Sequence, residues 1–136
     1  MTNKEYLQQY RLCKVRLCQA KDALAELEEG IDSLAIDYSG MPHGSGTSNK
    51  VESFVVRLEE LREPLLKEVG EHYAKMMEVA DAVRAIDNET YSQLLHYRYI
   101  VGMPWEDVAI QLGYEEGYTR GELHGNALKE VKQLHT

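Results

Sequence analysis

Two apolar seams, each long enough to run the length of an extended helix, constrain this chain more than any other feature. From Tyr6 the apolar or small residues fall at Tyr6, Tyr10, Cys13, Leu17, Ala20, Leu24, Leu27, Ile31, Leu34 and Tyr38, alternating in steps of three and four. Lys, Glu, Gln and Asp fill the positions between them, so one face is apolar and the rest solvated. That is a sustained heptad pattern and predicts roughly 45–50 Å of helix. A second pattern runs through Val51, Phe54, Leu58, Leu61, Leu65, Val69, His72, Met76, Val79, Val83 and Ile86, with an extra four-residue step from Leu65 to Val69. Pro64 precedes that step and Gly70 comes after it. The helix is expected to bend or restart there, since an interior proline costs roughly 3 kcal/mol. Between the seams, YSGMPHGSGTSN at 38–49 holds three glycines and a proline and reads as a loop, with Ser48 or Asn49 as N-cap of the second long helix.

Two seams of matching length joined by a loop of about a dozen residues predict an antiparallel helical hairpin, here residues 1–87. A hairpin covers each helix on one side only and buries less core than a globule of equal mass, so self-association into a homodimer is expected. The alternative is a monomer whose C-terminal helices fold back on the hairpin. The expected class is all-α: a long coiled-coil-like hairpin followed by a small C-terminal helical unit at 88–136.

That unit is punctuated by its glycines and prolines. Asp87 or Asn88 is a plausible N-cap for a helix burying Tyr91, Leu94, Leu95 and Ile100, and Gly102 ends it. Pro104 suits the first turn of the next helix, which carries Trp105, Val108, Ala109 and Leu112 before Gly113 stops it. A last helix is expected at about 115–134, with Leu123, Ala127, Val131 and Leu134 on one side. Ala109 followed by Gly113 is the steric pattern of a helix-turn-helix: a small side chain where two helices cross, then a residue free to take a positive φ. Spacing alone supports a plain helical subdomain about as well.

Composition narrows the functional classes. The net charge is −8, with 11 Lys/Arg against 16 Asp/Glu in residues 1–87 and 4 against 7 in residues 88–136. Neither part shows the positive footprint typical of nucleic-acid binders. The basic cluster of note is Lys4, Arg11, Lys14, Arg16 and Lys21, read first as a solvated face and second as a contact for DNA or an acidic partner. The N-terminus lacks the apolar core of a signal peptide, and no apolar run approaches the roughly 20 residues of a membrane span, so a cytoplasmic home and no membrane partner are expected. Cys13 and Cys18, five apart on one helix, are expected to be free thiols. No metal-ligand spacing, phosphate loop, nucleophile-base pair or paired carboxylates are recognisable; no cofactor, metal or enzymatic activity is expected. His72 and His96 lie on apolar faces and read as packing residues, His43 as a solvated loop residue, and Tyr6, Tyr10, Tyr38, Tyr91 and Tyr114 as half-buried bundle positions.

The segments YSQLLHYRYIVGMPWEDVAIQLGY and LHGNAL resemble the C-terminal part of the ArpU/RinA-like transcriptional regulators of phages and prophages, whose tail is similar to the sigma-factor region that reads the minus-35 promoter element. The long helix, the loop MPHGSG and the second long helix match the same layout, so the resemblance spans nearly the whole chain. It implies a supporting helix at 104–112 with a helix-turn-helix core of Trp105, Val108, Ala109, Leu112, Gly113 and Leu123. It implies a recognition helix at 115–134 whose groove-facing positions are Glu115, Glu116, Gly117, Arg120, Gly121 and His124. Arg120 and His124 suit base edges, while Tyr118, Asn126, Lys129 and Lys132 are candidate DNA contacts beside them. The partners so implied are promoter double-stranded DNA, RNA polymerase, or both, in a bacterial host. Departures from that pattern point to a rival reading. Glu115 and Glu116 favour the helix dipole but repel phosphate. Gly117, Gly121 and Gly125 form a bare strip costing roughly 1 kcal/mol each against Ala if exposed, so either a helix or a ligand surface such as DNA is expected against it. The rival is a phage assembly or protein-interaction module in which the helix-turn-helix is only a packing unit.

Overall fold

A computed structural model describes residues 1–39 and 48–133, with the side chains at 34–39 and 48–51 outside the description. The expected loop at 38–49 with His43, the caps at Ser48 or Asn49, and seam positions Leu34, Tyr38, Val51 and Leu134 therefore lie outside the described side chains.

The chain is all-α, with no strand among the described residues. A long helix pair comes first, α1 (Asn3–Ser39) and α2 (Ser48–Arg84), followed by α3 (Glu89–Leu95), α4 (Trp105–Leu112), α5 (Glu116–Tyr118) and α6 (His124–Lys129). A π-helical turn at His96–Val101 extends α3, and a second at Thr119–Leu123 joins α5 to α6, so residues 116–129 form one run. No described helix is long and apolar enough to cross a membrane. α2 continues through Pro64 and Gly70, where a bend or a restart was expected, as one helix without a restart. One lost backbone bond is tolerable in a 37-residue helix that also has a packed face.

Contacts group the chain into two compact units: residues 1–15 with 73–136, and residues 16–72. The boundary expected at residue 87 follows the helical layout, whereas the contacts keep the start of α1 and the end of α2 with the C-terminal helices. The reason is a shared core. Tyr6 and Leu7 of α1, Val79, Ala82 and Val83 of α2, Ile86, Leu94, Leu95, Tyr99, Val108, Leu123, Ala127 and Val131 form one buried cluster. Leu7, one position beyond the expected seam, is fully buried. Two adjacent buried positions on a helix mean that it is covered on more than one side.

Polar contacts hold the same unit. Tyr6 Oη donates to Glu78 at 3.1 Å, and Lys75 reaches Glu78 at 2.8 Å while lying 5.3 Å from the Tyr6 ring centroid. Asn88 is the N-cap of α3, accepting from the Tyr91 N–H at 3.1 Å, and Ser92 Oγ donates to the Val83 carbonyl at 2.9 Å. The last helix ends at Lys129, five residues before the expected 134. Its closing carbonyls are taken up by the other end of the chain, where Asn3 Nδ2 donates to Leu128 at 2.7 Å and Val131 at 3.2 Å. Gln133 in turn donates to Asn3 Oδ1 at 2.9 Å.

In the unit at 16–72 the two long helices face each other alone. Leu17 and Ala20 are buried, and Leu24, Leu27, Ile31, Leu58, Leu65 and Val69 are half-buried along the expected seam. Arg62 pairs with Glu28 at 3.0 Å. Phe54 and Leu61, expected to be seam residues, are instead 54% and 52% exposed. Cys18 is exposed and Cys13, in the first unit, is buried; both are free thiols.

Candidate nucleic-acid interface

The candidate interface is built from α4, the turn at Gly113 and the run at 116–129. Gly102 and Gly113 adopt φ of +88° and +80°, the two left-handed backbone positions of the described chain, and each ends a helix. Beyond α4 the N–H groups of Gly113 and Tyr114 both donate to the Ala109 carbonyl, at 2.9 and 3.2 Å. The chain thereby reverses within three residues, and α4 packs on both α5 and the second π turn. At that crossing Val108, Ala109 and Leu123 are buried, with Trp105 and Leu112 half-buried against the core. Ala109 is the small side chain that the close approach requires.

Trp105 is held on two sides. The Arg98 guanidinium lies 4.6 Å from its ring centroid, and His124 meets it edge-on at 4.5 Å. His124 Nε2 is 2.7 Å from Tyr99 Oη, the phenol donating to the neutral imidazole. Burial first, then the charges of Lys4 and Arg98, lower the His124 pKa to about 4, opposed by its bond to the Arg120 backbone. Burial raises the Tyr99 pKa, with Arg98 acting the other way. His124 is therefore uncharged at neutral pH and turned into the packing. Expected among the groove-facing residues with Arg120, His124 here packs against Tyr99 and Trp105.

The other expected DNA contacts do not form one basic ridge. Arg120 is exposed, as are Lys129 and, at 42%, Tyr118, while Asn126 is half-buried. Lys132 lines a cleft of about 360 Å³ together with Asp81, Asp87 and Glu130. Glu115, Glu116 and Glu122 are exposed alongside Arg120. A side chain added at Gly117, Gly121 or Gly125 would meet nothing within 4 Å, so the glycine strip is an open edge with none of the described helices against it.

Several residues that shape the interface are not marked by the helical pattern. Thr119 is fully buried, its Oγ1 donating to the Glu115 carbonyl at 2.8 Å, which fixes the start of the run. Tyr99 is buried four residues after Leu95, on the same helix face. His96, expected to pack, is exposed, and Tyr114 is 46% exposed.

No family model, curated protein or solved structure matches this chain.

Proposed function

We propose that this chain is a phage-type, non-enzymatic transcriptional regulator of the ArpU/RinA-like kind, acting in the bacterial cytoplasm. Its helix-turn-helix engages promoter DNA together with RNA polymerase. The observation that carries the reading is the open edge of the run at 116–129. Three glycines on a helix cost roughly 1 kcal/mol each against Ala, none of the described residues fills the space beside them, and Arg120 is exposed on the same run. An external surface that approaches the backbone closely accounts for that cost. The exposed glutamates beside Arg120 make affinity for bare DNA weak, so polymerase supplies the rest of the grip.

The protein acts as a homodimer in this account. Phe54, Val56, Leu61 and Leu66 are large apolar side chains left exposed on α2, more than a solvated helix needs, and a second copy would cover them. Arg120→Glu tests the DNA reading in a reporter assay on a promoter from the protein's own phage or prophage region. Promoter response is expected to fall at least tenfold, and full response in a folded variant would refute it. The acidic excess at 115, 116 and 122 favours one second reading, a protein-interaction or assembly module, for which a partner would bind at the glycine edge without any DNA.

A further inference from the structure

On α1, Lys4, Gln8 and Arg11 recur at steps of four and three and so share a face. Gln8 and Arg11 line a cleft of about 410 Å³ with Leu12, Arg98, Tyr99 and Gly102. Both guanidiniums in it are held by backbone carbonyls. Arg11 Nη2 donates to Val101 at 3.2 Å, and Arg98 Nη1 donates to Met103 at 3.0 Å while its plane lies over Trp105. Gly102 makes the first of these possible, since a Cβ there would overlap the Arg11 guanidinium. A guanidinium offers five N–H donors, so most remain free at each arginine.

Carbonyls position these cations without cancelling them. Among the described residues no carboxylate lies within ion-pairing distance of Lys4, Arg11 or Arg98. Glu5, the nearest acid in sequence, hydrogen-bonds Thr2 instead. In a chain of net charge −8 that is an unusual concentration of uncompensated positive charge, and its effect reaches His124, whose pKa is lowered first by burial and then by Lys4 and Arg98. Two fixed guanidinium forks and a neighbouring ammonium are the donor set that a tetrahedral oxyanion requires.

We propose that this cleft is a phosphate-binding site, with Arg11 and Arg98 clamping the anion, Gln8 adding an amide donor and Lys4 supplying further charge. The ligand is a phosphate group, carried either by a free ion or nucleotide or by a nucleic-acid backbone. Gly117, Gly121 and Gly125 do not line the cleft, and the proposal stands whether or not that edge contacts DNA.

Trp105 is the sole tryptophan and touches Arg98, so its emission reports occupancy directly. The full-length chain is titrated with inorganic phosphate at constant ionic strength, with chloride as control, then with ATP and with a DNA duplex. A saturable change with inorganic phosphate on the order of 1 mM, absent with chloride, is expected. Arg11→Gln, which leaves the Arg98–Trp105 contact in place, is expected to weaken it at least tenfold, and Lys4→Gln severalfold, both with unchanged circular dichroism. Tighter saturation by ATP assigns the phosphate to a free ligand. Tighter saturation by the duplex, competed by inorganic phosphate, assigns it to a backbone. A response matched by chloride, no saturation by any of the three, or an unaltered response in folded Arg11→Gln would overturn the proposal.

Discussion

Residues 54–69 and 76–83 lie on one helix and carry one apolar pattern, but they end in different environments. Met76, Val79 and Val83 are buried, whereas Leu58, Leu65 and Val69 are half-covered and Phe54 and Leu61 face solvent. The difference lies in what each stretch meets. In the unit at 1–15 and 73–136 a layer of short helices adds Leu94, Leu95, Val108 and Ala127 to the core, while in the unit at 16–72 two helices share a single seam. A heptad pattern states which side chains seek cover and leaves open how many layers provide it.

The sharpest way to break the comparison is by truncation. Leu94→Ala removes a fully buried side chain and is expected to cost about 3–4 kcal/mol, whereas Leu61→Ala is expected to cost less than about 1 kcal/mol. Urea denaturation followed by circular dichroism measures both, and equal losses would erase the distinction. A smaller effect tests the polar side of the same unit. His124 has a folded pKa of about 4, below the ordinary 6.5, so between those values the unfolded chain binds a proton that the folded chain refuses. Stability is therefore expected to fall as pH drops from about 6.5 to about 4, and to be flat from 7 to 8 on this residue's account. Allowing for its partial exposure, the loss is on the order of 1–2 kcal/mol. His124→Gln should flatten that slope, and an unchanged slope would reject the assignment. Asn3→Ala, which frees the Leu128 and Val131 carbonyls, is expected to cost about 1 kcal/mol, seen as faster amide exchange at the end of the last helix.

Gly121→Ala runs in the opposite direction. The added Cβ has open space, so the helix should gain about 0.5–1 kcal/mol while promoter response drops if a partner approaches that edge. Stabilisation with full response would leave the glycines without the use assigned to them. The smallest change is expected at the exposed Arg62–Glu28 pair, where either truncation should move stability by less than about 1 kcal/mol.

The legible parts of this molecule were those governed by local rules. Helical periodicity exposed both long helices, the cap of α3 was narrowed to Asp87 or Asn88 and is Asn88, Gly102 was legible as a helix end, and Gly113 as a residue free to take a positive φ. Trp105 and Ala109 were readable as packing residues because a steep crossing needs one large anchor and one small contact. What escaped depended on particular partners. Thr119 is buried with its hydroxyl on the Glu115 carbonyl, and His124 meets Tyr99 and Trp105 from other helices, contacts that a local pattern does not carry. The early end of the last helix depends on Asn3, about 125 residues away in sequence. Arg11 read as part of a solvated basic face, and it is Arg98, from the far half of the chain, that meets it in one cleft.

The most direct test is fluorescence anisotropy of labelled DNA fragments from the region around the protein's own gene, titrated with the full chain across a salt series, with and without RNA polymerase. The expected result is binding that strengthens markedly when polymerase is present and weakens steeply with salt, as counterion release requires. Absence of DNA binding in both conditions, by a protein shown to be folded, would contradict the regulator reading and leave the protein-interaction module in its place.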